Sequence, residues 1–161
     1  MRSALFSCVL LLFAAVAAGE QTSLLNFELK SLQEPERHAL SRYEGKPVIM
    51  VFFQPECNWC LKQVRAINML REQCEIEAIA VGTGGNRAAL RKELRRLRPG
   101  FPAYQASPRL IEELGGVVAT PITLLGDANG DFVSWSRGFL EERQLLELMR
   151  SSGQTDCRAS L

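Results

Sequence analysis

The chain has 161 residues, enough for one domain with a sizeable core. Its apolar and charged fractions, 47% and 23%, are ordinary for a globular protein. Formal net charge is +1, and removing residues 1–19 takes away Arg2 and no acid, leaving 18 basic against 18 acidic groups; nothing in that balance points to nucleic acid as a partner.

Residues 1–19 read as a signal peptide. Arg2 supplies the positive start, Ala4 to Ala18 is uncharged and apolar, and Ala15-Val16-Ala17 and Ala17-Ala18-Gly19 offer small residues at cleavage spacing. The apolar run is short of the roughly twenty residues a membrane span needs. An uncleaved anchor is the alternative, and only then would the chain be held at a membrane. Cys8 sits early in the apolar run rather than at its end, which argues against lipid attachment there. Export places the mature protein in a periplasmic or extracellular compartment, where disulfides persist. Four cysteines then remain, Cys57, Cys60, Cys74 and Cys157, an even number that permits full pairing.

From residue 20 to residue 150 the pattern is that of a single domain, followed by a polar tail over 151–161. Leu25, Phe27 and Leu29 alternate with Asn26, Glu28 and Lys30, as in a half-buried strand. Pro35 and Tyr43-Glu44-Gly45-Lys46-Pro47 mark turns. Val48 to Phe53 is apolar throughout, so it reads as a strand covered on both faces. A helical pattern carrying Val64, Ile67 and Leu70 runs from the next cysteine to about Gln73, and Ile76 to Val81 reads as a second buried strand. Strand, helix and strand make a right-handed parallel crossover.

Asn86 suits the N-cap of a helix over 88–97 with Leu90, Leu94 and Leu97 inward. The rest of that helix is basic, with Arg87, Arg91, Lys92, Arg95, Arg96 and Arg98 against Glu93; the pattern fits a solvated face or a docking face for an acidic partner. Phe101-Pro102 opens a short extended piece, and Ser107-Pro108 starts a short helix stopped by Gly115-Gly116. Thr120 to Leu125 reads as a strand, Asn129-Gly130 as a hairpin turn, Phe132 to Ser136 as the return strand, and Leu140 to Arg150 as an amphipathic helix.

The chemistry sits at the junction of the central strand and its helix, in Cys57-Asn58-Trp59-Cys60. A sulfur at a helix N-terminus faces unpaired backbone N–H groups and the positive end of the helix dipole, so its thiolate is favoured. Cys57 is then the nucleophile. Cys60, one turn on, resolves the mixed disulfide that Cys57 forms. The bland reading of a lone CxxC is half a zinc site, but zinc takes about four ligands, and the chain has one histidine, His38, and no second CxxC. No metal and no cofactor is expected.

The combination of Phe27-x-Leu29, Tyr43-x-Gly45-Lys46, Cys57-Asn58-Trp59-Cys60, an inserted helix, Phe101-Pro102, Thr120-Pro121 and Asn129-Gly130 resembles the thioredoxin superfamily, and within it the TlpA-like exported thiol–disulfide oxidoreductases. The resemblance covers about Leu25 to Arg150. It implies an α/β thioredoxin-like three-layer fold, a mixed central sheet with helices on both faces. It implies that the Thr120–Pro121 bond is cis and lies against the cysteines, and that Thr120, Pro121 and Trp59 receive the substrate, Thr120 by backbone pairing with an extended partner peptide. It also brings the ends of the first and last helices to one side, where Cys74 and Cys157 either form a structural disulfide or remain two free thiols. Three departures stand out. Glu56 occupies the place before the first cysteine where thioredoxins commonly have Trp. Val51 stands where they have a buried Asp, and Gln63 stands where some TlpA-like reductases have Glu. Glu56 is the remaining candidate for moving the proton of the second thiol.

Asn58-Trp59 adds no positive charge between the cysteines and Glu56 adds a negative one nearby, which raises a thiol pKa and favours a donor of electrons. The expected activity is reduction of disulfides in exported proteins, with re-reduction by a membrane electron carrier. The alternatives are a disulfide-forming oxidant and a copper-delivery module using the two thiols as soft ligands.

Overall fold

The computed structural model describes residues 23–116, 119–154 and 157; the segment read as a signal peptide lies outside them. Among the described residues seven strands and four α-helices follow one another in the order β1 (Glu28–Ser31), β2 (Arg37–Ala39), β3 (Val48–Phe53), α1 (Asn58–Gln73), β4 (Glu77–Gly82), α2 (Arg87–Leu97), β5 (Ala103–Gln105), α3 (Pro108–Glu113), β6 (Ile122–Gly126), β7 (Phe132–Arg137) and α4 (Glu142–Ser151). The strands form one mixed sheet in the order β2-β1-β5-β4-β3-β6-β7. β3 pairs parallel with β4 and antiparallel with β6, so its backbone is satisfied on both edges.

All six residues of β3 are buried, and its alternation divides the core in two. Ile49, Val51 and Phe53 face α1, α2 and α4; Val48, Met50 and Phe52 face the other side, where Leu110 of α3 and Leu40 and Tyr43 of a 3-10 turn cover them. β4 divides in the same way. Its two alanines, Ala78 and Ala80, lie on the α1 side, and its larger Ile79 and Val81 on the other. Small side chains under α1 let the helix approach the sheet closely, and the close packing fixes where its first turn sits. These layers are the thioredoxin-like arrangement, with helices on both faces of the sheet.

Several local signals act where their chemistry predicts. Asn86 and Ser107 cap α2 and α3 with their side-chain oxygens on the N–H groups of Ala89 and Leu110. Between β6 and β7, Gly130 has φ +82°, and a Cβ there would fall 2.6 Å from Leu25, so only glycine fits the turn. The starts of β1, β6 and α4 differ from the sequence expectation by two or more residues, and boundaries of β4, α2 and β7 by one. β1 begins at Glu28, although the burial of Leu25 and Phe27 keeps the expected alternation. β6 begins at Ile122, after the Thr120–Pro121 bond, which is cis. α4 begins at Glu142, because Glu141 and Gln144 form a reciprocal capping box there. Among the described residues no helix is long and apolar enough to cross a membrane.

Candidate active site

β3 ends at Phe53 and delivers the chain into the turn Gln54-Pro55-Glu56, from which α1 starts at Asn58. Cys57 is the N-cap of α1, and its Sγ accepts the backbone N–H of Cys60 at 3.1 Å. The sulfur therefore occupies the position that caps a helix, where N–H groups converge and negative charge is favoured. The two cysteines are joined by a disulfide with Cα atoms 5.2 Å apart. Their exposures differ: Cys57 retains 9% of its surface, and Cys60 none. Of the two cysteines, Cys57 is the one that reaches the surface.

The segment before β6 closes over this sulfur. Thr120 donates its hydroxyl to Cys57 Sγ at 3.5 Å. Beyond it, Trp59, Thr120, Pro121, Gly138 and Phe139 line an open, mostly apolar cleft of about 380 Å³. Gly138 N–H donates to the Pro121 carbonyl at 2.8 Å, which holds one wall of the cleft to the other. Trp59 is 55% exposed, stacks on Phe139 with ring centroids 6.0 Å apart, and carries the Lys62 ammonium 4.3 Å from its ring centroid. Trp59 is thus a large apolar side chain left half in water next to the disulfide.

Two buried polar groups tie the active-site turn and α1 to their neighbours. Gln63, fully buried on α1, accepts the Leu140 N–H at 2.8 Å and so ties the active-site helix to the lead-in of α4; its Nε2 has no hydrogen-bond partner among the described residues. Glu93 on α2 is 5% exposed. Sequence reasoning places it among the arginines of a polar face, whereas it turns inward toward the active-site turn. Its Oε2 accepts the backbone N–H of Glu56 at 3.2 Å, and both its oxygens accept Arg96 Nε at 3.1 Å. Arg96 in turn donates from Nη2 to the Cys57 carbonyl at 2.7 Å and from Nη1 to Asn58 Oδ1 at 3.3 Å. Hydrogen bonding to Glu93 raises the Arg96 pKa further, so the guanidinium stays charged. The i, i+3 spacing of Glu93 and Arg96 was the available signal, but an isolated pair of that kind on a basic helix reads equally well as solvated surface.

Glu56 itself is exposed, and its contact with Glu93 is through the backbone rather than its carboxylate. At the far ends of α1 and α4, Cys74 and Cys157 are joined by a disulfide across 83 positions of sequence. His38 lies on β2, four strands away from β3 in the sheet, with its ring on the Tyr104 hydroxyl and Glu34. With Glu34 and Glu36 it could offer three ligand atoms within 4.8 Å of one another, a grouping remote from the cysteines whose two acids are exposed.

Solved structures share this architecture. A thiol:disulfide interchange protein of the thioredoxin family from Chlorobium tepidum TLS superposes with a TM-score of 0.69 at 15% identity, covering 84% of this chain and 99% of that one. An exposed lipoprotein thioredoxin from Streptococcus pneumoniae gives 0.64 at 23% identity, covering 78% and 98%. A secreted Mycobacterium tuberculosis disulfide oxidoreductase gives 0.63 at 15% identity, covering 81% and 97%. At these identities the likeness establishes a thioredoxin-like fold. No curated protein matches the chain. The family model described as "TraF: F plasmid transfer operon protein" matches residues 22–149, which takes in the whole sheet and both cysteines of the site, and the chain belongs to the TraF family.

Proposed function

We propose that the protein is a thiol–disulfide oxidoreductase that reduces disulfides in exported proteins. The observation that carries this reading is the unequal pair at the start of α1: Cys57 capping the helix at the surface, Cys60 buried one turn behind it. In the reducing direction the Cys57 thiolate attacks one sulfur of a partner disulfide. A Cys57–partner bond forms as the partner S–S bond breaks, and the partner's other sulfur leaves and takes up a proton. Cys60 then loses its proton and attacks the Cys57 sulfur. The Cys57–Cys60 disulfide forms, and the second partner sulfur leaves. That second sulfur takes up a proton as it leaves, so, counting the proton Cys57 gave up on ionising, the partner gains two electrons and two protons and the pair loses them.

The supporting parts have matching roles. The cleft at Trp59, Thr120 and Pro121 receives the partner peptide, with the Thr120 backbone pairing to it as an added strand. Glu56, exposed beside Cys57, is assigned to moving the Cys60 proton. A membrane electron carrier restores the dithiol, and residues 1–19 export the chain to a periplasmic or secreted location. The reductase direction rests on the absence of positive charge at Asn58-Trp59; a glutathione equilibrium as oxidising as that of a disulfide-forming oxidant would reverse it. Cys60→Ser removes the resolving thiol, so covalent complexes with substrates should accumulate on Cys57 and disappear with added dithiothreitol. No such complexes, with Cys57 free to react with alkylating agents, would end the reading. The family's description names an F plasmid transfer operon, so envelope proteins of a transfer apparatus are the first substrates to look for among the trapped species.

A further inference from the structure

α2 is more than a cover for the sheet. The loop that leads into it packs on the active-site turn: a Cβ added at Gly85 would lie 2.9 Å from Pro55 Cγ. About two turns into the helix, Glu93 and then Arg96 grip the next three residues in succession. Glu93 takes the N–H of Glu56, a non-glycine residue held at φ +62°, and Arg96 takes the Cys57 carbonyl and the Asn58 side chain. The Cys57 carbonyl is also the acceptor for the first helical N–H of α1, that of Leu61, but at 3.4 Å against 2.7 Å for Arg96. The guanidinium is the closer partner. A backbone conformation disfavoured for side-chain-bearing residues persists only where its surroundings hold it, and such positions cluster at functional sites.

We propose that the Glu93–Arg96 pair is a positioning and charge-setting device for Cys57, fixing the turn before α1 and setting how readily the Cys57 thiol ionises. The inference deepens the oxidoreductase reading and rests on it. A cation bonded to the cysteine's own carbonyl favours the thiolate, and a buried carboxylate one residue away opposes it. The acidity of Cys57 is then the balance of the two, and α2 is where this chain adjusts it in the absence of charge between the cysteines.

The two charges have opposite signs, so their removal has opposite effects. Alkylation of the reduced full chain by iodoacetamide across pH, read by mass spectrometry at Cys57 within the peptide that carries it, reports the ionisation of Cys57 apart from the thiols of Cys60, Cys74 and Cys157. Arg96→Gln should lower the alkylation rate below the thiol pKa by about three- to tenfold, and Glu93→Gln should raise it by a similar factor. The double variant should lie between them, and Arg96→Lys should recover most of the loss. The glutathione equilibrium should follow, with Glu93→Gln the more oxidising protein. Should Arg96→Gln fail to fold, because it strands a buried carboxylate, Glu93→Gln keeps the Arg96 bonds and carries the test alone. Shifts of the same sign in both variants, or no shift in Glu93→Gln, would overturn the proposal. Those outcomes are distinct from failure of the oxidoreductase reading, in which the parent protein itself would not exchange with glutathione.

Discussion

Tyr104 shows how a single residue couples burial to pH. Its ring is 1% exposed on β5, and its hydroxyl meets those of Tyr43 and the ring of His38. Burial pushes its pKa well above the usual value near 10, and the hydrogen bond to Tyr43 adds to the shift. The unfolded chain therefore ionises at a lower pH than the folded one. Stability from this group is complete below about pH 10 and is lost as pH rises toward the folded pKa, by about 1.4 kcal/mol per pH unit. Urea denaturation between pH 8 and 11 should show that decline. Tyr104→Phe should flatten it, at a cost of about 1 kcal/mol near neutrality for the lost hydrogen bonds. At the same scale, the Cys57–Cys60 pair at a strand-to-helix junction was legible in the sequence from residue type and short spacing, whereas the cis Thr120–Pro121 bond was an expectation of the family resemblance and not of those two residues alone. Glu93 was not legible, because what distinguishes it from any other acid on a basic helix is the turn it meets, 37 positions earlier in the chain.

Elements were legible wherever one local signal decided them. β3 is apolar at every position and fully buried, and the Asn and Ser caps of α2 and α3 sit where their hydrogen bonds require. β2 and β5 were harder, since each has only three residues and takes its strand geometry from its neighbours, β1 for β2 and both β1 and β4 for β5. The end of α2 is a case where the local residue is a poor fit to its conformation. Arg98 caps the helix in the left-handed region at φ 50°, where glycine is the favoured residue. Its side chain has no part in the clamp on the active-site turn. Arg98→Gly should raise stability by about 0.5–1 kcal/mol, read as a shift in the urea midpoint without a change in slope. A loss of stability would mean that the arginine side chain contributes packing the backbone argument omits.

Across the whole molecule, the two disulfides serve opposite ends of α1. One lies at its start, within a three-residue separation, beside the cleft; the other lies past its end, closing 83 positions between Cys74 and Cys157. The chain-entropy model gives a loop of that size roughly 4–5 kcal/mol before strain. Cys74→Ala with Cys157→Ala should therefore lower stability by about 2–4 kcal/mol while leaving the Cys57 alkylation profile in place. The sequence left the pairing of these two open, since their proximity depends on α1 and α4 packing side by side. The cross-link also bears on where the polypeptide can be shortened. Cutting it after Arg150 would spare every strand and most of α4, yet would leave Cys74 with no mate. In an oxidising environment that widowed thiol would seek one on another molecule, so the truncated protein should run as a covalent dimer on a non-reducing gel and return to monomer once Cys74 is also replaced.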